Sequence, residues 1–113
     1  MPIMLGFASQ RRQLLDAELE RIAEELPPLG VHRAYLTGDV ARGRIEPDTE
    51  LELVLVQDTA EPFHRRADFF VSHLRPSVGT RFLVYRPDEF TELESIDPVL
   101  LAAKMHGEVI FGE

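Results

Sequence analysis

The stretch TGDVARGRIEPDTELELVLV, Thr37 to Val56, sets two glycines around a basic turn and follows them with a strand that carries two glutamates. Side chains alternate along a strand, so Glu50 and Glu52 point to one face and Leu51 and Leu53 to the other. Residues two apart in a strand lie about 6.5–7 Å from each other. Two carboxylates at that spacing can converge on one hard cation, and magnesium characteristically takes a couple of carboxylates plus substrate phosphates. Taken alone, the pair reads more simply as a strand end with charged residues facing water. Gly38 ends the preceding strand, and Gly43 allows a sharp turn or the close approach of a ligand. Backbone N–H groups that open a helix at such a turn form an anion site. The Gly-x-x-x-x-Gly spacing is not a P-loop, because no Lys-Ser or Lys-Thr pair follows Gly43.

On either side of this stretch the chain alternates helical and strand patterns. Leu15, Leu19, Ile22 and Leu26 form one stripe of an amphipathic helix over residues 10–26, with Ser9 as the expected N-cap and Pro27-Pro28 as the stop. VHRAYLTG reads as a strand, Gly38 to Asp48 as a turn with one helical turn inside it, and ELELVLV as a strand whose far half is buried on both faces. Phe63, Ala67, Phe70, Val71 and Leu74 trace a second helical stripe within residues 61–74, ended by Pro76 and Gly79. TRFLVY is a third strand and DEFTELES a short helical turn. DPVLLAAKMHG is a helix with proline in its first turn and Gly107 past its end, and EVIF is a closing strand. The order predicts a small α/β or α+β domain, a short mixed sheet flanked by helices, spanning residues 1–113 as one unit.

Composition bounds the function. The 113 residues are 44% hydrophobic and 28% charged, values typical of a soluble globular chain, and there is no cysteine to form a disulfide, thiolate metal site or thiol nucleophile. The N-terminal apolar run is only a few residues long, neither a secretory leader nor a membrane span, so the expected compartment is the cytoplasm. The net charge is −8 and the basic residues are scattered. A protein that binds extended nucleic acid unaided needs a basic stripe, so that partner is not expected. A single nucleotide carrying its own magnesium stays open. His32, His64, His73 and His106 show no metal-ligand spacing, and no Gly-x-Ser-x-Gly or Ser-His-Asp pattern stands out.

With the turn and strand together, the chain resembles the minimal nucleotidyltransferases of the DNA polymerase beta superfamily. Their pattern runs Gly-Ser-x-Ala-Arg-Gly and then Asp-Ser-Asp-x-Asp-Leu before a hydrophobic strand. The same register here reads Gly38-Asp39-Val40-Ala41-Arg42-Gly43 and then Asp48-Thr49-Glu50-Leu51-Glu52-Leu53. FLVYRPDEF looks like the family's third core strand and the turn after it, and DPVLLAAKMHGEVIFGE like its closing helix and strand. The resemblance implies that Glu50 and Glu52 stand at the magnesium-ligand positions. It implies that Gly38, Asp39, Arg42 and Gly43 stand where nucleotide phosphates are cradled, and that Mg2+ and an NTP such as ATP are the cofactors of an active member. Catalysis in such a site is positioning plus electrostatic stabilisation of the transferring phosphoryl group.

Three positions depart from the pattern. Asp39 replaces a phosphate-donating serine with an acceptor-only carboxylate, and it is expected to cap the helix that follows. Glu50 and Glu52 replace aspartates, and their longer stems move the oxygens outward around an ion that tolerates little misplacement. The resemblance also implies a third metal-binding carboxylate on the third strand, but Arg81 falls at that position, and a slip of one residue gives Thr80, no carboxylate either. Arg81 is expected to pair with Glu50 and Glu52 and stand in for the lost metal charge. Together these favour a degenerate site with reduced or lost catalysis and a binding or regulatory role. Stand-alone members of the family occur beside small helical partner proteins, some as antitoxins that adenylylate a toxin. The alternative is an active magnesium-dependent enzyme that transfers AMP or another nucleotide to a protein or small-molecule hydroxyl, its third carboxylate drawn from Glu46 or Asp48. The apolar termini, MPIML and EVIF, are compatible with a homodimer.

Overall fold

Valine and leucine at every position from Leu53 to Val56 leave this strand no solvent face, and the sheet is built around it. The computed structural model describes the backbone of residues 2–112 and the side chains of residues 9–112. Its elements run α1 (Pro2–Glu25), β1 (Val31–Thr37), α2 (Gly38–Ala41), β2 (Leu51–Gln57), α3 (Phe63–Leu74), β3 (Thr80–Tyr85), α4 (Pro87–Leu93), α5 (Pro98–His106) and β4 (Glu108–Phe111). The four strands form one mixed sheet in the order β3-β2-β1-β4. β1 is antiparallel to β2 and β4, while β2 and β3 run parallel, joined through α3. The fold is a mixed α/β arrangement of the expected class, with helices on both faces of the sheet.

Each face has its own core. Leu53 and Leu55 of β2 pack with Ala34, Leu36, Phe82 and Val84 beneath Leu15 and Ile22 of α1, Leu26 just past its end, and Phe70 and Leu74 of α3. On the other face Val54 and Val56 meet Tyr35 and Tyr85 beneath Phe90 of α4 and Leu100 and Ala103 of α5. Each fully buried leucine or phenylalanine contributes roughly 1.5–3 kcal/mol through removal from water. The period-2 register thus sends odd-numbered β2 residues to one core and even-numbered ones to the other, and Glu52 heads the second set.

Two local expectations need correction. The first helix starts at Pro2, not after Ser9, so Ser9 lies inside it and caps nothing. Proline suits the first turn of a helix, where its missing N–H is an unused donor anyway. The stripe on α3 is narrower than its periodicity suggests, since Phe63 and Val71 are each 48% exposed while Arg66 is buried. Phe70 is core, as its place in the stripe predicts, and the neighbouring Phe69 stays partly exposed with its ring edge-on to Phe70.

Arg66 explains the shift of the α3 face. Its guanidinium donates to both carboxylate oxygens of Glu89, at 2.6 and 3.1 Å, and to the Val84 carbonyl, while Nε donates to the Glu61 carbonyl. Glu89 in turn accepts from the Arg86 backbone N–H at 2.9 Å. A buried charge is tolerated when its donors are satisfied in this way. The network ties α3, the end of β3 and the first turn of α4 together.

Candidate functional site

At the near end of β2 the sheet opens into a cleft of about 560 Å³, lined among others by Gly38, Asp39, Glu50, Glu52 and Arg81. Topology places these residues. The antiparallel register sets Thr37 beside Glu52, and the parallel register sets Arg81 on the other side of Glu52. Glu52 is therefore flanked by one side chain from each neighbouring strand, all on one face.

The contacts follow from that placement. The Thr37 hydroxyl donates to Glu52 Oε2 at 2.8 Å. Arg81 Nη1 lies 3.6 Å from Glu52 Oε1, an ion pair too long to be a hydrogen bond, and the arginine side chain is 65% exposed. No ion pair between Arg81 and Glu50 exists among the described residues. The expectation of a guanidinium shared between both glutamates is thus not met. Glu50 precedes β2 and is exposed, and its carboxylate lies over Gly79, so that a Cβ there would meet Glu50 Oε2 at 2.6 Å. Having no side chain, Gly79 leaves the carboxylate room to lie across the start of β3, away from Arg81.

The glycine turn is real and carries a short helix. Gly38 has φ +75° and Gly43 φ +77°, both in the left-handed region that glycine enters without steric cost. A Cβ on Gly38 would approach Glu52 Cβ at 3.3 Å, so the turn sits close against β2. Asp39 does not cap α2 as expected. The N-cap residue is Thr37, which makes no side-chain cap bond, its hydroxyl being given to Glu52. Asp39 is exposed in the first turn, and its backbone carbonyl accepts from Arg42 and Arg44. Arg42 is exposed and lines a second cleft of about 300 Å³, which shares Gly38, Asp39 and Glu52 with the first and reaches α5 at Val99, Ala102 and His106.

Among the described residues no group of three or more histidine, aspartate or glutamate side chains is placed to hold a metal ion. The cation-bearing group beside Glu52 is Arg81 itself, and one oxygen of Glu52 is already taken by Thr37. Glu46 and Asp48 line the same cleft but lie on the exposed loop before β2. Thr37 is not among the residues that the sequence marks for this site. Its signal was its place next to Gly38, but that it faces Glu52 depends on a strand register that no local pattern reveals.

No protein-family model matches the chain, and no curated protein matches it. Among solved structures it is similar to the crystal structure of a protein from Sulfolobus solfataricus described as a "putative nucleotidyltransferase", with 17% identity, 78% of each chain covered and a TM-score of 0.49.

Proposed function

We propose that this chain is a nucleotidyltransferase-like domain whose site has lost efficient nucleotide transfer, and that it serves as a binding or regulatory module, antitoxin-like in the company of a protein partner. The observation that carries the proposal is the pairing of Glu52 with Arg81 across β2 and β3. A cation beside Glu52 weakens the demand of that carboxylate for a metal ion. Asp39 works in the same direction. An exposed carboxylate in the first turn of α2 occupies the region where a phosphate would need donors, and it repels phosphate. Resemblance of the motifs supports the family reading, and the departures from them support the loss.

The test is a calorimetric titration with ATP at millimolar concentration, with and without magnesium. No heat and no thermal stabilisation is the expected result. Magnesium-dependent binding that vanishes in Glu52→Gln would overturn the proposal and put the active transferase in its place.

A further inference from the structure

Helix α5 is apolar on more sides than its packing uses. Leu100 and Ala103 enter the core, yet Leu101 and Met105 stay 37% and 73% exposed, and Val109 on the adjoining β4 is 48% exposed. Pro98, Leu101, Ala102 and Met105 follow at i, i+3, i+4 and i+7, a helical stripe turned away from the sheet. A helix with apolar residues on both its inner and outer faces is normally covered on both. This stripe borders the second cleft, which Pro98 and Ala102 line together with Arg42 and His106, and which shares Gly38, Asp39 and Glu52 with the first.

The two surfaces differ in charge, and that difference selects the occupant. Asp39, Glu46, Asp48 and Glu50 line the first cleft with no ion pair among the described residues, Arg81 is the one basic side chain lining it beside them, and Arg42 lies in the adjoining second cleft. We propose that α5 and the cleft together form a docking surface for a protein segment that carries apolar side chains followed or preceded by arginine or lysine. The apolar side chains cover Leu101 and Met105, and the cation enters the acidic cleft. A second copy of this chain is the poorer occupant, since a net charge of −8 makes two copies repel and leaves few cations to offer. The inference rests on the partner-binding reading of the site and names the chemistry of the partner.

A capped synthetic peptide of two arginines followed by three leucines serves as the probe, against a counterpart with glutamates in place of the arginines. Amide resonances of the labelled protein are followed during titration. The arginine peptide is expected to shift Gly38, Glu52, Ala102 and Met105, and the glutamate peptide to leave them in place. Leu101→Glu should weaken binding about tenfold, and Asp48→Asn about twofold to fivefold, the exposed-charge range. Both positions are exposed, so neither change threatens the fold. Equal shifts from both peptides, shifts confined to other surfaces, or a dimer in sedimentation that buries Met105 would each overturn the proposal. Magnesium-dependent ATP binding would instead overturn the degenerate-site reading beneath it, so the two failures are distinguishable.

Discussion

At the scale of single residues, the site is decided by which atoms Glu52 already satisfies. Thr37 gives it a short hydrogen bond and Arg81 a longer ionic contact. An exposed ion pair of this length contributes little to stability, roughly 0–1 kcal/mol. Arg81→Ala should therefore change the urea midpoint by no more than such a difference produces. A loss of several kcal/mol would mean that the arginine holds the strand ends together. Gly38→Ala is the opposite case. A left-handed φ penalises any Cβ by roughly 1–2 kcal/mol, and the new methyl would press on Glu52 at 3.3 Å. Equilibrium unfolding should show that loss, and an unchanged midpoint would show that the turn adapts. Residue type and spacing marked Gly38, Glu50 and Glu52 in the sequence, because those are local, and only the family resemblance added Arg81 to them. The sequence could not tell that Arg81 reaches Glu52 and misses Glu50, since side-chain reach depends on where Gly79 leaves room.

At the scale of elements, nearly every helix and strand was legible from periodicity, for a physical reason. The strands are β-branched and leucine-rich runs, β1 and β4 set between glycines, and each helix has a proline or glycine near an end. What the period could not show was the burial of Arg66. A charged residue on the inner side of α3 looks like a break in the stripe, and only the placement of Glu89, Val84 and Glu61 around it explains the exchange with Phe63 and Val71. Arg66→Ala leaves the Glu89 carboxylate without its principal partner and should cost about 3–5 kcal/mol. Arg66→Met, which keeps the stem and its packing, should cost less if the apolar stem carries part of the contribution. Denaturation of both variants checks this. Equal stability of wild type and Arg66→Ala would show that the α3–β3–α4 clamp contributes nothing.

At the scale of the whole molecule, the acid excess and one buried carboxylate set the response to pH. Glu18 on α1 is nearly buried, and it accepts the Ser77 backbone N–H at 2.7 Å together with two bonds from Arg21 at 2.7 and 2.9 Å. Arg21 also donates to the Leu74 carbonyl, so this cluster fastens α1 to the segment that links α3 with β3. The Arg21 hydrogen bond is the main cause that lowers the Glu18 pKa from 4.5 to about 2, against the opposing effect of burial. Glu89 is lowered as well, chiefly by Arg66. A carboxyl with a depressed folded-state pKa binds fewer protons folded than unfolded. Its stabilising contribution is complete above the unfolded value and is lost as pH falls through the folded one. Stability should therefore hold above about pH 4.5 and decline progressively toward about pH 2. Protonation of the many exposed acids relieves their mutual repulsion over the same range and opposes this loss, so the wild-type slope alone is not diagnostic. The difference between wild type and Glu18→Gln removes that common background. At neutral pH the variant should be less stable by about 1.5–3 kcal/mol, the range for hydrogen bonds to a charged group. Between about pH 4.5 and pH 2 that gap should close, because wild-type Glu18 becomes as neutral as the glutamine. Thermal or urea midpoints measured for both proteins across this window decide the matter. A gap that stays constant with pH would mean that packing, and not the charge of Glu18, fastens α1 to the rest of the fold.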